Sequence, residues 1–267
     1  MKKIIYFFLL FGISSCSPKY VQLFETVTTN TNIVDNYYTY EDDTIKIKYS
    51  FWEDKGIMSF EITNKMSAPI YIDWKNSSLI LNDVKLNYWE DEMNSNSISN
   101  YSTYYYKGPS SATKGVSYSK STKPERVTFI PPNSKYKCYK YHLFPFSNYQ
   151  MKDYASKVYK RAENPSQPEK TATVYYVNFN NNNSPLKFRN YIAVTFKEDS
   201  KIFKFIDNEF YVTSIKEMTL KHFKGEVINS SNKEYEFPFR NPQFFYLNIP
   251  KKASLNYILK STMDNSQ

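Results

Sequence analysis

An all-β sandwich is the fold class this sequence predicts, and three observations predict it. Apolar residues recur at every second position: Ile45, Ile47, Tyr49 and Phe51 alternate with Thr44, Lys46, Lys48 and Ser50. Turn-forming segments punctuate the chain at short intervals, among them Glu53-Asp54-Lys55-Gly56, Asn64 to Pro69 and Asn180 to Pro185. Helical periodicity is almost missing, so strands have little to bury their apolar faces against except other strands. The 267 residues suit one large domain or two small ones. With 23% charged and 18% aromatic residues, the chain is too apolar for disorder.

The elements follow in order. Residues 16–36 read as a tether with one extended stretch, Tyr20 to Val27, ahead of a sandwich domain over 37–250. Met58, Phe60 and Ile62 form the second strand of a hairpin with the Ile45 strand. Ile70, Ile72 and Trp74 point one way and Tyr71 and Asp73 the other, and Leu79 to Leu81 and Val84 to Tyr88 continue the meander. A Ser-, Asn-, Thr- and Tyr-rich insertion occupies about 91–125 and has the composition of a binding loop. Strands resume at Arg126 to Ile130 and Lys135 to His142, and Tyr149 to Glu163 is the expected short helix. Alternation returns over Val174 to Phe179 and Tyr191 to Phe196. A turn is expected at Asp207-Asn208, then an extended stretch from Phe210 to Leu220 and a tail over 251–267. The segments Ser59-Phe60-Glu61-Ile62-Thr63-Asn64-Lys65 and Pro69-Ile70-Tyr71-Ile72-Asp73-Trp74 resemble immunoglobulin-like domains of uncharacterised bacterial lipoproteins. That resemblance covers under a tenth of the chain and implies an immunoglobulin-like sandwich.

Residues 1–15 carry a different signal. Lys2 and Lys3 precede an apolar run from Ile4 to Ile13, too short for a bilayer but of the size of a secretory signal core. The string Ile13-Ser14-Ser15-Cys16 resembles a bacterial lipobox, which implies cleavage before Cys16 and acylation of that cysteine. Three acyl chains exceed the two signals that stable anchoring needs. The membrane is thus an expected partner, through the lipid. Ser17 in place of aspartate resembles the sorting pattern of outer-membrane lipoproteins, and the absence of an acidic run after Cys16 favours the periplasmic face.

Chemistry is sparse. The net charge of +9 comes from 31 lysines and only four arginines against 26 acids. Lysine gives diffuse charge rather than bidentate phosphate contacts, and exported proteins meet little nucleic acid, so nucleic acid is not an expected partner. The abundance of Asn, Lys, Tyr, Ile and Phe also matches AT-rich codons. His142 and His222 lack metal-ligand spacing, and no cofactor or metal is expected. Cys138 has Lys137 and Lys140 for neighbours but reads as a small core residue. Glu41-Asp42-Asp43 and Glu90-Asp91-Glu92 read as solvated turns, and Asp43-Thr44-Ile45 resembles a bacterial O-glycosylation acceptor. No Gly-x-Ser-x-Gly elbow occurs. Aromatics alone suggest a binding surface: Trp52, Trp74 and Trp89 near strand ends, and Tyr101, Tyr104, Tyr105 and Tyr106 in the insertion. The expectation is a non-enzymatic envelope lipoprotein that binds another envelope protein or glycan. Its alternatives are a glycan-binding module built on those four tyrosines and a hydrolase with dispersed carboxylates.

Overall fold

The computed structural model describes residues 19–90, 125–151, 157–159, 174–198 and 200–249. In chain order the strands are β1 (Tyr20–Thr28), β2 (Asn32–Val34), β3 (Tyr37–Glu41), β4 (Ile45–Tyr49), β5 (Ile57–Asn64), β6 (Ile70–Leu81), β7 (Val84–Asn87) and β8 (Val127–Ile130). There follow β9 (Lys135–His142), β10 (Lys157–Tyr159), β11 (Val174–Asn178), β12 (Lys187–Thr195) and β13 (Lys204–Thr219). A one-turn helix α1 (Leu220–Lys224) precedes β14 (Val227–Asn229), β15 (Glu234–Tyr235) and β16 (Phe244–Ile249). The class is all-β, as expected.

Among the described residues the strands form three antiparallel sheets: the short β14-β15 pair and two larger sheets that share the main core, while Val21, Leu23, Val174, Met218 and Phe223 make a second cluster. The smaller of the two large sheets is five-stranded in the order β2-β3-β4-β5-β9. The larger is nine-stranded and runs β6-β12-β13-β1-β16 through its middle. Strands β7 and β8 share the outer edge of β6, and β11 extends the β12 side of β13 with β10 beyond it. The long β13 is the spine: its first half pairs with β12 and its second with β1 and β11.

The alternation read in the sequence sets which faces meet. Ile45, Ile47, Tyr49, Phe51, Met58, Phe60 and Ile62 are all buried, and they pack on Ile72, Trp74, Phe188, Ile192, Phe210 and Val212 from the larger sheet. Phe51 meets Phe188 and Phe210 edge-on at 5.2 Å, and Phe24 stacks on Phe245 at 4.6 Å. Each such ring contributes about 1.5–3 kcal/mol by burial, and each favourable pair about 0.5–1.5 kcal/mol more. A chain of hydrogen bonds crosses this core. The Tyr88 hydroxyl donates to Asn190 Oδ1 (2.7 Å), Asn190 Nδ2 donates to the Tyr49 hydroxyl (3.1 Å), and Tyr49 donates to Asn208 Oδ1 (2.8 Å). Asn190 and Asn208 are register partners on β12 and β13, so the chain ties both strands to the facing sheet.

Four local expectations are corrected. From Tyr20 onward the tether is a central strand, because β1 pairs on both sides and Val21, Leu23 and Phe24 are buried. Lys157–Tyr159 lies within the expected helix but is a strand, drawn into extended form by the edge of β11. No turn forms at Asp207-Asn208: Asp207 pairs with Arg189 of β12 and Asn208 with Tyr49, so both turn-prone residues sit inside β13. The described helix is α1 instead, capped by the Thr219 side chain accepting from the His222 amide and ended by Gly225. It carries His222.

Candidate functional site

The outer face of the larger sheet departs from the polar pattern a solvated face should show. Strand alternation sets Val127 and Phe129 of β8, Tyr71 and Asp73 of β6, and Ala193 and Thr195 of β12 on this face, where Asp73, Ala193 and Thr195 are nevertheless buried. Register sets them in rows. Tyr71 lies between Phe129 and Thr195, while Asp73 lies between Val127 and Ala193, and Ala193 is opposite Phe205 of β13. The rings touch in pairs: Tyr71 with Phe129 (5.6 Å), Tyr191 with Phe205 (5.2 Å, 19° apart) and Phe203 with Phe205 (5.9 Å). Phe129 is 53% and Phe205 50% exposed. The surface spans four strands, about 14 Å at about 4.8 Å per strand.

A cleft of about 500 Å³ opens within it, lined by Tyr71, Asp73, Asn76, Arg126, Phe129, Glu198, Lys201 and Phe203 among others. Its polar wall comes from an irregularity in β6. Tyr191 pairs with Ser78 but Ala193 pairs with Asp73, so residues 74–77 bulge out opposite Ile192. The Ser77 hydroxyl fills the gap, donating to the Asp73 carbonyl (2.7 Å) and accepting from the Ala193 amide (2.9 Å). Asp73 Oδ1 accepts from the Asn76 amide (3.1 Å), and Oδ2 lies 3.4 Å from Arg126 Nη2. The Asp73 side chain is 4% exposed against 55% for Arg126, so a fixed carboxylate faces a mobile-length cation at the cleft wall. Asp73 and Glu198 balance Arg126 and Lys201, leaving the cleft near neutral.

The Tyr20 end of β1 and the cleft lie far apart along the spine. Tyr20 pairs with Thr219 at one end of β13, and Phe205 sits fourteen residues back at the other end, about 45 Å along the strand at about 3.3 Å per residue.

The outer face of the smaller sheet is different. Lys48 sits 3.7 Å over the Tyr37 ring, and Lys135 (2.8 Å) and Lys137 (3.6 Å) pair with Glu61 beside Tyr139 in a groove of about 430 Å³. Salt bridges to Lys135 and Lys137 hold the Glu61 carboxyl below its ordinary range. This is the charged, hydrogen-bonded face expected of a solvated sheet.

The residues singled out from sequence fare unevenly. Cys16, Tyr101, Tyr104, Tyr105 and Tyr106 lie outside the described residues, as do Asp91 and Glu92. Trp74 is buried and donates from Nε1 to Thr128 Oγ1 (2.7 Å). Trp52 stacks on Phe223 at 5.7 Å, and Trp89 packs on the main core. All three tryptophans therefore serve packing. Glu41 pairs with Lys46 and Lys65, and Asp42 with Lys204 (2.7 Å). Partial burial of Asp42 is outweighed by hydrogen bonds from Lys204, Tyr40 and Thr44, which hold its carboxyl well below the usual range. The Thr44 hydroxyl donates to Asp42 and accepts from Lys204, so it is engaged rather than offered for modification. Burial pushes the Cys138 thiol up to about 11 despite nearby Lys140, the opposite of an activated nucleophile. His142 Nδ1 lies 3.2 Å from the Gly56 carbonyl, and His222 packs on Phe239. Among the described residues no group of three or more His, Cys, Asp or Glu side chains could hold a metal, and no helix is long and apolar enough to cross a membrane.

Sequence reasoning missed Tyr71, Asp73, Phe129, Phe203 and Phe205 as a group. The available signal was aromatic residues at the outward phase of the alternation, but the strand pairing that gathers them is not in the local pattern. Comparison with protein-family models, curated proteins and solved structures finds no match for the chain.

Proposed function

We propose that this chain is a membrane-anchored, non-enzymatic envelope lipoprotein: an immunoglobulin-like sandwich held to the outer membrane, on its periplasmic face, through acylated Cys16. It binds another envelope component through the aromatic face of its nine-stranded sheet. The observation that carries the reading is the group of aromatic side chains on this face, exposed Phe129 and Phe205 with half-buried Tyr71 beside Phe129, where a solvated sheet face should be polar. The lipobox-like Ile13-Ser14-Ser15-Cys16 supports the anchor. Cys16 stands four residues before Tyr20, which limits the linker to about 14 Å. Lipid at that end leaves Phe205 directed away from the membrane, toward whatever occupies the space beyond it.

The test is photo-crosslinking in intact cells from single positions in the full chain. Probes at Phe129 and Phe205 should give discrete adducts with envelope material, and probes at Lys46 and Ile228 should not. Equal labelling from all four positions, or none from Phe129 and Phe205, refutes the binding face. Cys16→Ala should move the protein out of the membrane fraction and abolish its acyl-dependent mobility. Unchanged partition would refute the anchor.

A further inference from the structure

We infer that the cleft between Tyr71, Phe129, Phe203 and the Asp73–Arg126 pair binds pyranose rings of a neutral polysaccharide. The inference rests on the proposed binding face and names its ligand. A sugar ring presents two chemistries: an apolar C–H face and an edge of hydroxyls that both donate and accept. The cleft matches both. Tyr71, Phe129 and Phe203 supply flat apolar surfaces, at a low entropic cost because each ring has only two side-chain torsions. Asp73 supplies an acceptor-only carboxylate, and Arg126 a fork of donors, side by side on the same wall.

Three features separate this ligand from others an apolar face could take. The carboxylate is 4% exposed on its side chain and fixed by the Asn76 amide, so it is preorganised for directional bonds rather than loosely solvated. The contact with Arg126 is long at 3.4 Å, so Asp73 Oδ2 keeps lone-pair capacity for a hydroxyl donor arriving from the cleft. Asp73 and Glu198 against Arg126 and Lys201 leave no net charge to select an acidic or phosphorylated polymer. The position about 45 Å along β13 from the Tyr20 end argues against lipid as the occupant, because the anchoring bilayer lies at the other end of the strand. The 500 Å³ volume lies within the range of about 300–1,000 Å³ for small-ligand sites, and the 14 Å width across four strands suits an extended chain.

The test uses the full acylated chain in detergent micelles, titrated calorimetrically with neutral hexasaccharides (α-glucan, β-glucan and N-acetylglucosamine oligomers) and with a uronic acid hexamer. At least one neutral hexamer should bind, and the uronic acid hexamer should bind at least tenfold more weakly. Phe129→Ser and Tyr71→Ser should each lower affinity for the neutral hexamer tenfold or more. Arg126→Gln, at a half-exposed position that tolerates change, should lower it about threefold to tenfold, with circular dichroism unchanged. No binding by any neutral hexamer overturns the sugar assignment. Binding unmoved by Phe129→Ser and Tyr71→Ser places the site elsewhere and also overturns it, as does preference for the uronic acid. The crosslinking from Phe129 reads the binding face independently. Crosslinks without sugar binding discard the ligand and keep the face, whereas loss of both discards the face.

Discussion

Tyr49→Phe tests whether the buried hydrogen-bond chain fastens the two sheets. The Tyr49 hydroxyl is fully buried, donates to Asn208 Oδ1 at 2.8 Å and accepts from Asn190 Nδ2 at 3.1 Å. Burial also pushes its ionisation well above the ordinary phenol range, so it remains a neutral donor across the working pH range. The substitution keeps the ring contacts with Phe210 (4.9 Å) and Phe60 (5.9 Å) and removes one atom. Asn190 and Asn208, both 1% exposed or less, then each lose that partner. An unsatisfied buried polar group costs about 1–3 kcal/mol, so the expected loss is about 2–4 kcal/mol in urea-unfolding free energy at unchanged m-value. Tyr88→Phe removes one bond rather than two and should cost about 1–3 kcal/mol. Because both hydroxyls meet at Asn190, the double variant should fall short of additivity by about 0.5 kcal/mol or more. Tyr139→Phe, 62% exposed, is the control and should stay within about 0.5 kcal/mol of the parent. A Tyr49→Phe loss no larger than that of Tyr139→Phe would refute the reasoning.

Further predictions follow from single residues. Burial raises the Glu217 carboxyl above its ordinary 4.5, against a hydrogen bond donated by Gln22 Nε2 (2.8 Å). A raised carboxyl favours the protonated native state, so the contribution of this group to stability is full below about pH 4.5 and is lost as pH rises toward the folded-state value. Glu217→Gln should therefore raise the urea midpoint at pH 7 and leave it unchanged at pH 4; a gain equal at both would refute the assignment. Gly56→Ala should destabilise by more than about 2 kcal/mol, because φ is +62° and the added Cβ would lie 2.8 Å from Phe245 Cγ; a thermal melt within a degree of the parent would contradict it. In the Cys16→Ala chain Cys138 is the sole thiol. Its thiol-reagent labelling at pH 8 should be on the order of a hundredfold slower folded than in urea, since burial pushes it up to about 11.

Most of the fold was legible where alternation and burial agree. The Ile45 to Phe51 and Met58 to Ile62 runs are core strands, and β9 spans the expected Lys135–His142. What escaped was decided by partners distant in sequence. Tyr20 to Thr28 reads as an extended piece of tether until β13 and β16 close on either side of it, about 180 to 230 residues later. Asp207-Asn208 has turn chemistry in isolation, but Arg189 and Tyr49 offer both side chains better partners within a strand. Lys157–Tyr159 takes its form from an edge supplied by β11. The candidate site failed to appear for the same reason. Phe129, Tyr71 and Phe205 are separated by up to 134 positions and become neighbours only through the order β8-β6-β12-β13.

That order also answers the question raised by composition. AT-rich codons favour Lys, Asn, Tyr, Ile and Phe alike, so biased composition alone should scatter them over both outer faces in similar mixture. The two faces instead sort them. On the smaller sheet, register aligns Thr39, Lys48, Glu61 and Lys137 in one row and Glu41, Lys46, Thr63 and Lys135 in the next, a charged surface. On the larger sheet, the equivalent rows hold Phe129, Tyr71 and Thr195, then Val127, Asp73, Ala193 and Phe205. The next row pairs Tyr191 with Asp207, and in the one after it Arg189 faces Glu209 and the polar pattern returns. Exposed rings cost solubility and invite association, and lysine was equally accessible to the same codons. The smaller sheet sets its exposed rings, Tyr37 and Tyr139, among lysines and Glu61, whereas the larger sheet gathers Phe129, Tyr71, Phe203 and Phe205 around one buried carboxylate; that grouping is a matter of placement rather than composition, and placement is what a binding face requires.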